Sequence, residues 1–346
     1  MTMKKSIILI TVLFVGFAGS QCTKNESSPD LKLSFQSSIN DINTAISKIS
    51  GTKGYQLMSM SGDAAKSEDS FKDSITLPLI AGVYDYQPDP VPRHHNYFSY
   101  RLFKKTGESE KMIVNLPERM VSHPKYLHYY SPKDTVLKNN FTVTASDYHL
   151  YYTWWKSYDY RLSAGFTLDS EYIGDLDVSS SAHSFIDNSY SSKFTFTEGY
   201  RVSTEWQTGD TTVSSFALLK DNDVLLKETR VYIWNDSHEG ERQYILTIGN
   251  IDIKRASNID SIQVYLDGVL QKEAAAVIKD GADTTGSICH KRDILLTFDD
   301  GTTAKLSEKI DPALTKLRTL IDSMHSMYFA RNIVDYIAVS IYYNSR

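Results

Sequence analysis

The densest set of metal-capable side chains lies early in the chain: Asp85 and Asp89, the adjacent His94 and His95, then His123 and His128. Imidazole and carboxylate suit zinc or copper, and such pairs can converge across a loop. Adjacent histidines on an extended strand, however, point to opposite faces. The spacing fits no standard zinc motif, and Pro88, Pro90, Pro92 and Pro124 mark the region as loop. No metal ligand is assigned. Cys289-His290 invites a thiol-nucleophile reading, but neighbouring side chains on a strand diverge and no family signature surrounds the pair. The acidic groups Asp169, Glu171, Asp175, Asp177 and Asp221, Asp223, Glu228 have the chemistry of calcium ligands without the spacing of an EF-hand loop. Asp-Asn-Asp is also what a tight hairpin asks for. The chain has no G-x-S-x-G, H-E-x-x-H, G-x-G-x-x-G or C-x-x-C motif and no phosphate-binding glycine loop. No catalytic residue and no cofactor follow.

The surplus is aromatic. The chain has 23 Tyr, clustered as Tyr126, Tyr129, Tyr130 and then as Tyr148, Tyr151, Tyr152, Trp154, Trp155, Tyr158, Tyr160. Aromatic faces stack on sugar rings and line apolar clefts, and the Tyr hydroxyl orients what is bound. Tyr is equally a favoured strand residue at the boundary of core and water. Of these positions, Tyr151, Tyr152, Trp154 and Trp155 are the expected ligand-binding set, for a small apolar or glycan ligand.

The elements that must position them divide the chain in three. From residue 31 to 50 the apolar positions Phe35, Ile39, Ile42, Ile46 and Ile49 advance by fours and threes, which predicts a helix with one buried face. Gly51 and Gly54 are expected to end it, and Ser61 to Asp73 reads as loop. Between about 80 and 300 the pattern switches to period two. Tyr158, Tyr160, Leu162, Ala164, Phe166 and Leu168 alternate with polar residues, as in a strand with one face buried. Gly209-Asp210, Asp221-Asn222-Asp223, Asp267-Gly268 and Asp300-Gly301 separate such runs and supply turn chemistry. Asp311-Pro312 then opens a helix expected over about 311–329, and Ile337, Val339, Ile341 and Tyr343 alternate, which predicts a closing strand.

The expected fold class is α+β: mostly an antiparallel β meander, as a curved sheet, half-barrel or sandwich, packed with an N-terminal and a C-terminal amphipathic helix. A membrane β-barrel also has Tyr-rich alternating strands. Two strong helix patterns, 23% charged residues and an Asn344-Ser345-Arg346 ending in place of a terminal aromatic strand argue against it.

The 346 residues carry 37 Lys+Arg against 42 Asp+Glu and are 41% hydrophobic, which excludes both a multi-span membrane protein and a disordered chain. Two Cys make no disulfide scaffold, and a net charge of −5 argues against a nucleic-acid partner. Lys4 and Lys5 precede an apolar run from Ile7 to Ala18, followed by Gly19-Ser20-Gln21-Cys22, the layout of a secretory signal over residues 1–21. Its 12 residues would span only about 18 Å as a helix, short of a bilayer core of roughly 30 Å. Residues 22–30 read as a polar tether and 31–346 as the β-rich body.

A Cys directly after such a run resembles the lipobox of gram-negative, Bacteroidota-type envelope lipoproteins, with Gln21 and Gly19 in the looser version of that pattern. The resemblance implies that Cys22 is acylated and becomes the first mature residue. Thr23, which is not Asp, points to the outer membrane as the lipid-anchored address. The alternative is ordinary cleavage after Ala18-Gly19-Ser20, leaving a soluble periplasmic or secreted protein with Cys22 as a thiol able to pair with Cys289. The expected function is a membrane-tethered, non-enzymatic ligand-binding or carrier module. The alternatives are a structural protein docking another envelope component, or a hydrolase whose acids the sequence does not locate.

Overall fold

Asp30 begins the first helix of the computed structural model, which describes residues 30–59, 74–87, 102–118, 138–152, 158–182, 187–234, 240–256, 262–280, 292–326 and 334–344. Its carboxylate accepts hydrogen bonds from the backbone N–H of Lys32 at 2.8 Å and of Leu33 at 3.2 Å, capping α1 (Leu31–Ser50). Phe35, Ile39, Ile42, Ile46 and Ile49 are all buried on its inner face. The helix stops at Gly51, whose N–H donates to the Lys48 carbonyl at 3.2 Å. Gly54 has another role than the expected terminator: it lies inside a second helix, α2 (Lys53–Ser59), where its missing side chain lets the helix approach the sheet.

About 55% of the described residues are in strands, most of them in one large, curved sheet that does not close. The strands, in chain order, begin with β1 (Ile75–Thr76), β2 (Gly82–Tyr86), β3 (Phe103–Gly107) and β4 (Met112–Leu116), with the short α3 (Leu77–Ile80) after β1. The meander follows: β5 (Phe141–Tyr152), β6 (Tyr158–Leu168), β7 (Glu171–Ala182), β8 (Asn188–Phe196), β9 (Tyr200–Thr208) and β10 (Thr211–Lys220). It continues through β11 (Asp223–Ile233), β12 (Glu241–Ile248), β13 (Ile251–Ala256), β14 (Gln263–Leu266) and β15 (Val269–Leu270). From β5 to β15 each strand pairs antiparallel with the next, and β4 then joins β5, with β2 parallel to β4 and β3 at the edge. β16 (Ala275–Asp280), β17 (Arg292–Thr297) and β18 (Thr303–Lys305) form a separate small sheet.

Turn chemistry sets the hairpins. Asp169 and Ser170 between β6 and β7 have φ of 51° and 67°, and Asp267-Gly268 between β14 and β15 has 50° and 79°. These are the two positive-φ residues a two-residue hairpin with matching twist requires. Asp169 and Asp221, both in the acidic groups, are therefore turn residues.

Past the small sheet come α4 (Leu306–Lys309), α5 (Asp311–Ser326) and α6 (Asp335–Asn344). The last corrects the sequence expectation, since the tail is a helix and not a closing strand. Val334, Ile337, Ala338, Ser340, Ile341 and Tyr342 are all buried, so burial surrounds the axis and the sequence lacks the polar stripe that reveals a helix. The helices pack with the sheet in one hydrophobic cluster. Asn43 Nδ2 on α1 donates to the Lys309 carbonyl at 3.1 Å, and Lys316 Nζ on α5 donates to Ser50 Oγ at 2.9 Å. Lys32 pairs with Asp300 at 2.7 Å, and this bond, with those from Thr302, holds the Asp300 carboxyl down at about 2.

Candidate ligand-binding site

Strands β9–β12 run on past the packed core, and their far ends are half-buried or exposed on both faces. On β10, Thr211 to Ser215 are all half-buried, whereas Phe216, Ala217 and Leu218 are buried. Val202 and Thr204 of β9 face the core, so period two puts Trp206 on the same face, one step beyond the packed region. Register then fixes its neighbours: Trp206 stands opposite Ser214, Ser214 opposite Arg230, and Arg230 opposite Tyr244. One step further out, Thr212 stands opposite Tyr232 and Tyr232 opposite Arg242.

The result is a ledge with a polar floor and aromatic walls. Trp206 is 39% exposed and Trp234 55%. Trp234 is held by its own N–H on the Asp210 carbonyl at 3.0 Å and by Nε1 on Thr212 Oγ1 at 3.4 Å. The Tyr232 and Trp234 rings meet edge to face with centroids 4.4 Å apart, and the Arg242 guanidinium sits 5.5 Å from the Tyr232 centroid. The Arg230 guanidinium binds Glu228 Oε1 through Nε at 2.9 Å and Nη2 at 2.5 Å. Two strand spacings, about 10 Å, separate β9 from β11 across the hydroxyls of β10, and Trp234 lies a further four residues, about 13 Å, along β11 from Arg230, so the two indoles face each other diagonally. That span accepts a short run of pyranose rings against the aromatic faces, with hydroxyl, guanidinium and carboxylate groups at hand for directional hydrogen bonds. No nucleophile paired with a base lies among these residues.

Of the expected ligand set, only Tyr151 has a described side chain, and it lies away from this ledge. Tyr151 is 40% exposed, opposite Asp159 on the outer face beside His149, and the backbone of Tyr152 pairs with Tyr158. Trp154 and Trp155 lie outside the described residues, as do Cys22, Asp89, His94, His95, His123, His128 and Cys289-His290. Among the described residues no group of three His, Cys, Asp or Glu side chains is placed to hold a metal. Asp85 accepts from Asn115 Nδ2 at 2.8 Å, Asp177 binds Lys193 at 2.8 Å, and Glu171 binds Lys53 at 2.8 Å. Sequence reading missed Trp206, Tyr232 and Trp234. The only local signal is the Tyr232-x-Trp234 alternation, and the partner on β9 becomes visible only through strand register.

Two members of the Tyr-rich segment do converge, in the core. Tyr160 OH donates to Asp335 Oδ1 at 2.8 Å and Tyr148 OH to the same oxygen at 3.2 Å, where α6 begins. Both rings are buried, nearly perpendicular with centroids 6.1 Å apart, and burial followed by the Asp335 charge pushes both phenols well above their ordinary 10. This cluster is a latch between α6 and strands β5 and β6.

Compared with known proteins, the chain matches no family model, no curated protein and no solved structure.

Proposed function

We propose that the chain is an envelope lipoprotein, anchored to the outer membrane through Cys22, that serves as a non-enzymatic glycan-binding module. In this reading the curved sheet is a half-barrel wrapped on α1 and α5, and its ligand face is the ledge of β9–β12. The observation that carries it is the exposure of Trp206 and Trp234 on a single face, set diagonally about two strand spacings across and four residues along the sheet, with the hydroxyl floor of β10 between them. Large aromatic side chains left in water on a rigid scaffold favour a ligand that covers them. Buried side chains of α1 and α5 occupy the inner face of the sheet, which favours an open-surface binder over an enclosed carrier.

The test is calorimetric titration of the mature chain with cellohexaose, chitohexaose and laminarihexaose. At least one should bind saturably, and Trp206→Ala or Trp234→Ala should each weaken it about tenfold, the loss of one aromatic contact with its buried area. Trp154→Ala/Trp155→Ala in the same assay should change nothing; loss of binding in that variant alone would move the site to the Tyr-rich segment. Anchoring is tested separately by membrane fractionation. The wild-type chain should sediment with membranes and incorporate labelled palmitate, while Cys22→Ser should do neither. An unlabelled, soluble wild type would leave the periplasmic or secreted alternative.

A further inference from the structure

A strand at the edge of a sheet presents N–H and C=O groups without partners, and proteins blunt such edges with lysines or by keeping them short. Three of the edges here are blunted. β3 exposes Lys104 and Lys105, β15 has two residues and β18 has three. β16 is six residues long, its first four residues, Ala-Ala-Val-Ile, carry no charge ahead of Lys279 and Asp280, and among the described residues it pairs only with β17. Ala275 is exposed and Val277 is 49% exposed.

Beside this edge lies an open groove of about 630 Å³, where the chain leaves the large sheet for the small one. Ile262, half-buried, and Leu270, exposed, supply its apolar side and Val277 the β16 side. Its charged lining among the described residues is Arg255 and Lys272. An edge without charge over four residues, an apolar wall across from it and a basic rim are three properties of a site for strand addition.

The geometry points to a docking site for an extended, apolar segment of a partner protein that carries an acidic side chain. The segment lies in the groove as an added strand on β16. Its backbone meets the outward N–H and C=O groups of β16, alternate side chains cover Ile262 and Leu270, and its carboxylate faces Arg255 and Lys272. No groove residue belongs to the aromatic ledge, so this inference stands whether or not the ledge binds glycan.

The probe is a labelled hexapeptide of alternating Val and Thr with Asp at both ends, followed by fluorescence anisotropy with the mature chain. Saturable binding is expected, weakened about tenfold or more when the ends are Lys. Arg255→Glu/Lys272→Glu, two surface changes that leave the core intact, should reverse that preference. In a strand only alternate N–H groups face a given neighbour. Methylating one alternate set of peptide nitrogens should therefore abolish binding, and methylating the other set should not. Absence of saturable binding at millimolar peptide, indifference to charge reversal, or binding that survives methylation of both sets would each overturn the proposal.

Discussion

Asp335→Ala should lower the free energy of unfolding by about 2–4 kcal/mol, because two buried phenol donors lose their acceptor at once. Urea denaturation followed by circular dichroism measures it. Tyr148→Phe and Tyr160→Phe in the wild-type background should each cost about 1 kcal/mol. In the Asp335→Ala background the same changes should cost nothing or stabilise, since a phenol with its acceptor removed is worse than a phenyl ring. Additive losses would show that the three side chains do not act as a unit. The cluster also has a pH signature. Its phenols have folded pKa values above the unfolded value of about 10. Their contribution is therefore complete below about pH 10 and is lost as pH rises beyond it, when the unfolded chain ionises first. Wild-type stability should fall more steeply above that pH than that of Tyr148→Phe/Tyr160→Phe.

Gly174→Ala should cost about 2–5 kcal/mol in the same assay, from backbone strain and overpacking together. The residue has φ +151° at a bulge in β7, where Phe166 pairs with Gly174 and Thr167 with Tyr172, leaving Ile173 extra. A Cβ there would lie 2.7 Å from the Phe194 ring and 2.7 Å from the Thr195 carbonyl oxygen. A ring at the end of a side chain can shift, but the backbone oxygen is held by the sheet. Gly268→Ala is the comparison, since its φ is +79° with nothing within 4 Å of the added carbon. Only strain remains there, about 1–2 kcal/mol. Equal losses at the two positions would mean that the close approach at the bulge is relieved cheaply. Gly54→Ala meets the Ile173 carbonyl oxygen at 2.7 Å and touches the same Phe194. Its effect should therefore couple to that of Gly174→Ala rather than add.

Legibility of the fold follows how local each signal is. The fours-and-threes spacing from Phe35 to Ile49 is the face that α1 buries, because one side of that helix meets the core and the other meets water. Tyr160 to Leu168 alternate for the same reason in β6. Both contrasts disappear in α6, where burial runs round the axis, and a helix there looks like a strand. The parallel pairing of β2 with β4 has no local signature, since it depends on β3 crossing to the far edge of β2.

By itself the sequence determined the type of most elements, the hairpin turns and the absence of standard catalytic motifs. Each of these depends on side chains within a few residues of one another, where sterics and hydration act directly. The tertiary structure decided which distant residues share a place. Strand register puts Tyr151 opposite Asp159 on the outer face, and it brings Trp206 onto the same face as Tyr232 and Trp234 across β10. Packing of α6 likewise brings Asp335 to Tyr148 and Tyr160. Such neighbours are selected by the burial of the whole sheet and its helices, a sum over the entire core that no local stretch of sequence contains.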